Sequence, residues 1–169
     1  PNNYTSILVG GSSINSTKAI ISSLPKSSRI NVFSNGLYGQ NLRDMCKSNK
    51  VLKNTIRFDY QSLITPKIVE KSLERCNSTH VALVHNELTS GIINPINDII
   101  PIIKKYNKKI ILDCSSSFGT IPLDPNLEID YLIGSSNCLH GPNGLSFVIA
   151  KKNTLEECKN NTLYNNYEK

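Results

Sequence analysis

The chain has 169 residues, 38% hydrophobic and 19% charged, with a formal net charge of +6. That is one domain's length with enough apolar mass for a core, which excludes a disordered chain, and no apolar run nears the roughly 20 residues that span a bilayer. The lysines fall singly and in pairs, without a basic block or interleaved aromatics, so the positive excess reads as surface charge and nucleic acid is not an expected partner.

Five cysteines, Cys46, Cys76, Cys114, Cys138 and Cys158, are an odd number with no CxxC pair. Neither a disulfide framework nor a zinc site follows, and a reducing, cytoplasmic setting is expected. No signal segment opens the chain, and its start at Pro1 without an initiator Met fits a segment of something longer.

In chain order, the run Ser6 to Val9 is stopped by Gly10, Gly11, Ser12 and Ser13, and Ile14 to Leu24 has helical spacing ended by Pro25. Ile30 to Phe33 predicts a second strand, followed by the turn Ser34 to Gly39 and a helix to about Lys47. Thr55 to Tyr60 predicts a third strand, and Pro66 opens a helix reaching Arg75. His80 to His85 is a fourth strand, ending in Asn86 to Gly91. A helix then spans about Pro95 to Tyr106, bent or weakened at Pro101.

Ile110 to Asp113, Ile129 to Gly134 and Leu145 to Ala150 complete the strands. The alternation predicts an α/β sandwich with a mainly parallel sheet that receives ligands at the carboxyl ends of its strands. The link Ser135 to Gly144 is too short for a parallel crossover. The last strand is therefore expected to run antiparallel to its predecessor or to sit elsewhere, which makes the sheet mixed.

The polar strand ends then collect. Gly11, Ser12 and Ser13 lie at a helix start, either a plain turn or a phosphate seat. Tyr38, on a glycine-flanked turn, is either core or a flat face for an aromatic ring. Asp113 ends an apolar run before a serine-rich bend, either capping that turn or delivering a carboxylate to a cleft. Asn86 to Thr89 and Ser135 to Asn137 follow their own strands. Together they point to a phosphorylated aromatic cofactor. His85 and His140 read as core or turn residues, and Cys114 as a buried filler. The pairs Lys104-Lys105, Lys108-Lys109 and Lys151-Lys152 read as solvated ends.

The segments YTSILVGGSS, VFSNGLYGQNLRDM, HVALVHNELTSGIINPI, ILDCSSSFGTIPLD and IDYLIGSSNCLHGPNGLSFVIA stand in an order and spacing that resembles the class V aminotransferases. These are pyridoxal-phosphate enzymes of fold type I. The nearest likeness is to the branch of phosphonate metabolism that moves the amino group of 2-aminoethylphosphonate to pyruvate. It runs from about Tyr4 to Lys159.

The resemblance implies a three-layer α/β sandwich with a mixed, mainly parallel sheet of about seven strands, like the large domain of fold-type I transferases. Residues 1–160 would form that domain and 161–169 a polar tail, with the family's C-terminal small domain absent. It implies pyridoxal phosphate as cofactor. Asp113 would pair with the pyridine nitrogen, Tyr38 would stack on the ring, and Gly11, Ser12 and Ser13 would seat the phosphate. Asn137 would approach the phosphate too, and Glu87 and Thr89 lie in the motif lining the cofactor's hydroxyl side.

Three positions depart from the pattern. The family's Schiff-base lysine directly follows the position of Asn137; here that position falls at or next to Cys138 in a segment one residue shorter, so the lysine is either deleted or replaced by cysteine with a deletion nearby, and no lysine occurs between Lys109 and Lys151. Ile14 stands for a polar residue of the phosphate turn, and Leu88 for the hydroxyl that bonds the cofactor's ring hydroxyl.

The resulting expectation is a divergent aminotransferase-like domain, catalytically impaired, with no catalytic residue of its own. It would serve as scaffold, dimerisation unit or noncovalent ligand holder. The alternative is an active transaminase within a longer chain, its lysine supplied from elsewhere. Expected partners are a second copy, a fused or partner enzyme of phosphonate metabolism, and a small molecule if the cleft is open.

Overall fold

The structure, a computed structural model, describes residues 3–158. The expected tail at 161–169 lies outside them. Nine strands and five α-helices follow in chain order: β1 (Tyr4–Gly10), α1 (Ser13–Ser23), β2 (Ile30–Ser34), α2 (Leu37–Ser48), β3 (Leu52–Arg57), α3 (Pro66–Leu73) and β4 (His80–Val84). Next come the two-residue strands β5 (Asn86–Glu87) and β6 (Ile92–Ile93), then α4 (Ile96–Lys105), β7 (Lys109–Asp113), β8 (Tyr131–Ser135), β9 (Leu145–Lys151) and α5 (Lys152–Glu156). A 3-10 turn, Ser136–Leu139, links β8 to the loop before β9.

Seven strands form one sheet in the order β1-β9-β8-β7-β4-β2-β3. The β3, β2, β4, β7 and β8 pairs are parallel, whereas β9 runs antiparallel to both β8 and β1. The sheet is mixed, as the short link required, and the carboxyl ends of all strands except β9 meet at one edge.

The central strands are buried along their whole length, so their side chains alternate between two apolar layers and not between core and water. Val32, Ala82 and Ile111 face the layer filled by Ile20, Ile21 and Leu24 of α1 and Leu42 and Cys46 of α2. Phe33, Val81, Leu83, Ile110 and Leu112 face Val69 and Leu73 of α3 and Ile96, Ile99, Ile100 and Ile103 of α4. The result is helix, sheet, helix.

Helix α4 runs through Pro101, which sits on its exposed face, where the unpaired carbonyl a turn earlier meets water. Strand β3 lies three residues earlier than its expected start at Thr55. It is an edge strand with a half-exposed pattern, LKNTIR, and carries little apolar signal. The paired lysines are not merely solvated. Lys104 pairs with the buried Asp130, Lys105 with Glu70, Lys109 with Glu157 and Lys151 with Glu128. No helix among the described residues is long and apolar enough to cross a membrane.

Candidate functional site

At the carboxyl edge of the sheet a cleft of about 440 Å³ is lined by Ser12, Ser13, Ile14, Tyr38, Leu88, Ser115, Ser116, Ser135, Asn137, Cys138, Gly144 and Leu145. It brings together Ser12, Ser13, Tyr38, Asn137 and Cys138 from the expected set. Gly11, Glu87, Thr89 and Asp113 are not among its lining residues.

One end is the start of α1. Gly11 turns the chain there with φ +109°, a conformation that suits glycine, and its N–H donates to Gly144 O at 2.7 Å. The turn is thereby tied to the loop that enters β9. Ser12 is the N-cap residue without a side-chain cap bond, and the first amides of an 11-residue helix face the cleft end. Ser146 braces the turn from below, its hydroxyl 2.8 Å from that of Ser16.

Tyr38 is not on a turn, as its flanking glycines suggest. It lies in the first turn of α2, half-buried on the cleft wall. The reason is tertiary. Glu87, fully buried, accepts Tyr38 N at 3.3 Å, Gly39 N at 3.0 Å and Thr89 Oγ1 at 2.7 Å, and Leu37 N donates to Thr89 Oγ1 at 3.0 Å. A side chain from beyond β4 therefore caps a helix that has glycine, Gly36, at its own N-cap.

Asp113 ends β7 only 6% exposed, and Ser115 N donates to its Oδ1 at 2.9 Å. Burial pushes its carboxyl up from the ordinary value; the hydrogen bonds from Ser115 oppose this and the charge of Glu87 adds to it. The serine bend beyond is latched to the end of β4: Ser116 Oγ donates to Asn86 O at 2.7 Å, and Ser117 Oγ meets His85 Nδ1 at 2.9 Å. His85 and Cys114 are buried, as expected of core residues. His140, at φ 54°, closes the 3-10 turn in the left-handed region.

Cys138 donates its thiol to Ser115 O at 2.8 Å, and burial, then the charge of Asp113, push that thiol up. Among the described residues no lysine lines the cleft. Ile14 and Leu88 do line it, 44% and 56% exposed, so they border open space and do not plug it. Ser115, Ser116 and Ser135 are cleft residues that sequence reasoning placed nearby without assigning. Gly144 and Leu145 were missed, because they arrive from the antiparallel strand.

These residues match the elements of a pyridoxal-phosphate seat in part. A helix start, a flat ring and hydroxyls line a cleft large enough for one small aromatic ring, with the buried Asp113 carboxylate behind Ser115, which fits noncovalent holding. A covalent tether does not fit, since among the described residues no amine lines the cleft.

A mixed seven-stranded sheet between two helical layers, with its cleft at the parallel strands' carboxyl ends, defines the large domain of a fold-type I pyridoxal-phosphate transferase. Pyridoxamine-pyruvate aminotransferase from Mesorhizobium loti shares this fold with a TM-score of 0.86, covering 94% of this chain and 41% of that protein at 24% identity. Alanine--glyoxylate aminotransferase from Nostoc sp. does so at 0.84, covering 92% and 42% at 19% identity.

The Aminotransferase class-V family model matches residues 10–164, and the chain belongs to that family. It is 38% identical over 161 residues to 2-aminoethylphosphonate--pyruvate transaminase of Phocaeicola vulgatus, covering 92% of this chain and 44% of the relative. It is also 39% identical over 160 residues to a bifunctional phosphonoacetaldehyde hydrolase/aminoethylphosphonate transaminase of Clostridioides difficile, covering 25% of it. The chain thus spans less than half the length of these relatives.

Proposed function

We propose that this chain is an aminotransferase-like domain that holds a phosphorylated aromatic ligand of the pyridoxal-phosphate kind noncovalently and does not itself turn over as a transaminase. The observation that carries the reading is the residue after Asn137. Cys138 points its thiol at Ser115 O, and among the described residues no lysine lines the cleft. A thiol cannot supply the nitrogen through which an aldehyde cofactor is conjugated to a protein.

When bound, such a cofactor supplies an electron sink for a carbanion. This chain's residues would do the holding. The amides at the start of α1, with Ser12 and Ser13, would receive the phosphate, Tyr38 would cover a ring face, and Asp113, raised behind Ser115, would meet a ring nitrogen. What the cleft lacks among the described residues is an amine to move a proton between carbons, and loss of such acid/base help alone lowers rates by about 10² to 10⁴. A second copy of the chain, or a fused or partner enzyme of phosphonate metabolism, would supply whatever the domain serves.

Calorimetric titration with pyridoxamine 5′-phosphate, which has no aldehyde to react with surface lysines, tests the binding half. Saturable one-to-one binding is expected, weakened in Asp113→Asn. Absence of saturable heat would overturn the reading. Production of alanine from 2-aminoethylphosphonate and pyruvate by the chain alone would overturn the inactive half and favour an active transaminase.

A further inference from the structure

The wall of the cleft that carries Tyr38 is built by a segment far away in sequence. Helix α2 opens at Leu37 with Gly36 as its N-cap, so no local side chain satisfies its first amides. Glu87 does so, taking Tyr38 N and Gly39 N, while Thr89 takes Leu37 N and donates its own hydroxyl to Glu87 Oε1. Thr89 N adds a longer bond to the same oxygen at 3.4 Å.

We infer that Glu87, with Thr89, is a positioning residue that sets the Tyr38 ring over the cleft, and is not a ligand of what the cleft binds. The inference rests on the proposed noncovalent seat. Three observations carry it. Glu87 is fully buried and is not among the residues that line the cleft; its Oε1 takes Tyr38 N, Thr89 N and Thr89 Oγ1, and its Oε2 takes Gly39 N. Its charge sits at the positive end of an α-helix, where an anion is favoured.

Third, Gly36 leaves the room this contact needs. A Cβ on Gly36 would lie 2.2 Å from Glu87 Cγ, and one on Gly39 would lie 2.6 Å from Ser34 Oγ and 2.9 Å from Ser34 Cα. The first turn of α2 is thus pressed against Glu87 on one side and against β2 on the other. The segment that holds Tyr38 also delivers Leu88 to the cleft, so the two walls keep a fixed relation.

The test has two arms on the full chain. In the ligand-free protein, amide hydrogen exchange over residues 37–39 should accelerate at least tenfold in Glu87→Gln, with β4 and β7 unchanged. In calorimetry with pyridoxamine 5′-phosphate, Glu87→Gln should raise Kd about five- to tenfold. Adding it to Tyr38→Ala should raise Kd no further.

A full additional loss in the Tyr38→Ala background would mean that Glu87 touches the ligand itself, and unchanged exchange at 37–39 would mean that it does not hold the helix start; either overturns the inference. If Glu87→Gln fails to fold, Thr89→Val, which removes one exposed hydroxyl, carries the same two readouts. If the unaltered protein binds no pyridoxamine 5′-phosphate, the proposed function fails and the exchange arm alone judges the positioning.

Discussion

The thiol of Cys138 donates to the carbonyl of Ser115 at 2.8 Å, joining the turn after β8 to the bend after β7. This contact closes the cleft floor beside Asp113 with a group that burial keeps in its neutral form. The floor there carries a short side chain, Cys138, and among the described residues no lysine lines the cleft. Ile14 and Leu88 give the remaining walls two apolar side chains.

Restoring polarity there should strengthen binding. Ile14 and Leu88 are 44% and 56% exposed, so Ile14→Thr and Leu88→Thr should shift stability by no more than about 0.5 kcal/mol. Each new hydroxyl that bonds a ligand oxygen is worth about 1 kcal/mol, or roughly fivefold in affinity. Titration of the two single variants and the double with pyridoxamine 5′-phosphate checks this.

Asp113→Asn should separate binding from stability. The folded carboxyl is raised above its unfolded value by burial, so its contribution to stability is present below the unfolded pKa and is lost as pH rises through the folded one. At pH 8 the charge is a cost. Asparagine removes that cost while still accepting Ser115 N, so the ligand-free variant should be at least as stable as the parent, with the difference growing from pH 4 to pH 8 in urea unfolding. Ligand affinity should fall about tenfold or more.

His80 sets the acid limit of stability at the other end of the sheet. It is 3% exposed, its Nδ1 lies 2.7 Å from Thr79 Oγ1, its ring stacks on Tyr131 and its Nε2 has no partner. Burial first, then Lys109, lower its pKa to about 4, against an opposing pull from Asp130 and Glu157. A depressed histidine contributes stability above its unfolded pKa and loses it as pH falls toward the folded one. About 2 kcal/mol should be lost between pH 7 and pH 5 on this account. Urea midpoints should show that loss shrinking by a similar amount in His80→Gln.

Much of the fold is legible because parallel strands buried on both faces leave continuous apolar runs. His80–Val84 and Lys109–Asp113 are such runs, and their apolar residues split between the two core layers as period two requires. What escapes the sequence is contributed from afar. Tyr38 reads as a turn residue between two glycines, yet it is helical because Glu87 caps α2 across the fold. The hairpin of β5 and β6 has two residues per strand, too few for any periodicity. Gly144 and Leu145 reach the cleft only because β9 enters the sheet antiparallel, and nothing local marks them as cleft residues.

The most direct measurement is intact-mass and peptide analysis after incubation with pyridoxal phosphate and reduction with borohydride. A cleft whose described lining holds no amine predicts only scattered, substoichiometric labelling of surface lysines, unaffected by competing pyridoxamine 5′-phosphate. Stoichiometric labelling of a single lysine, abolished by that competitor, would contradict the account.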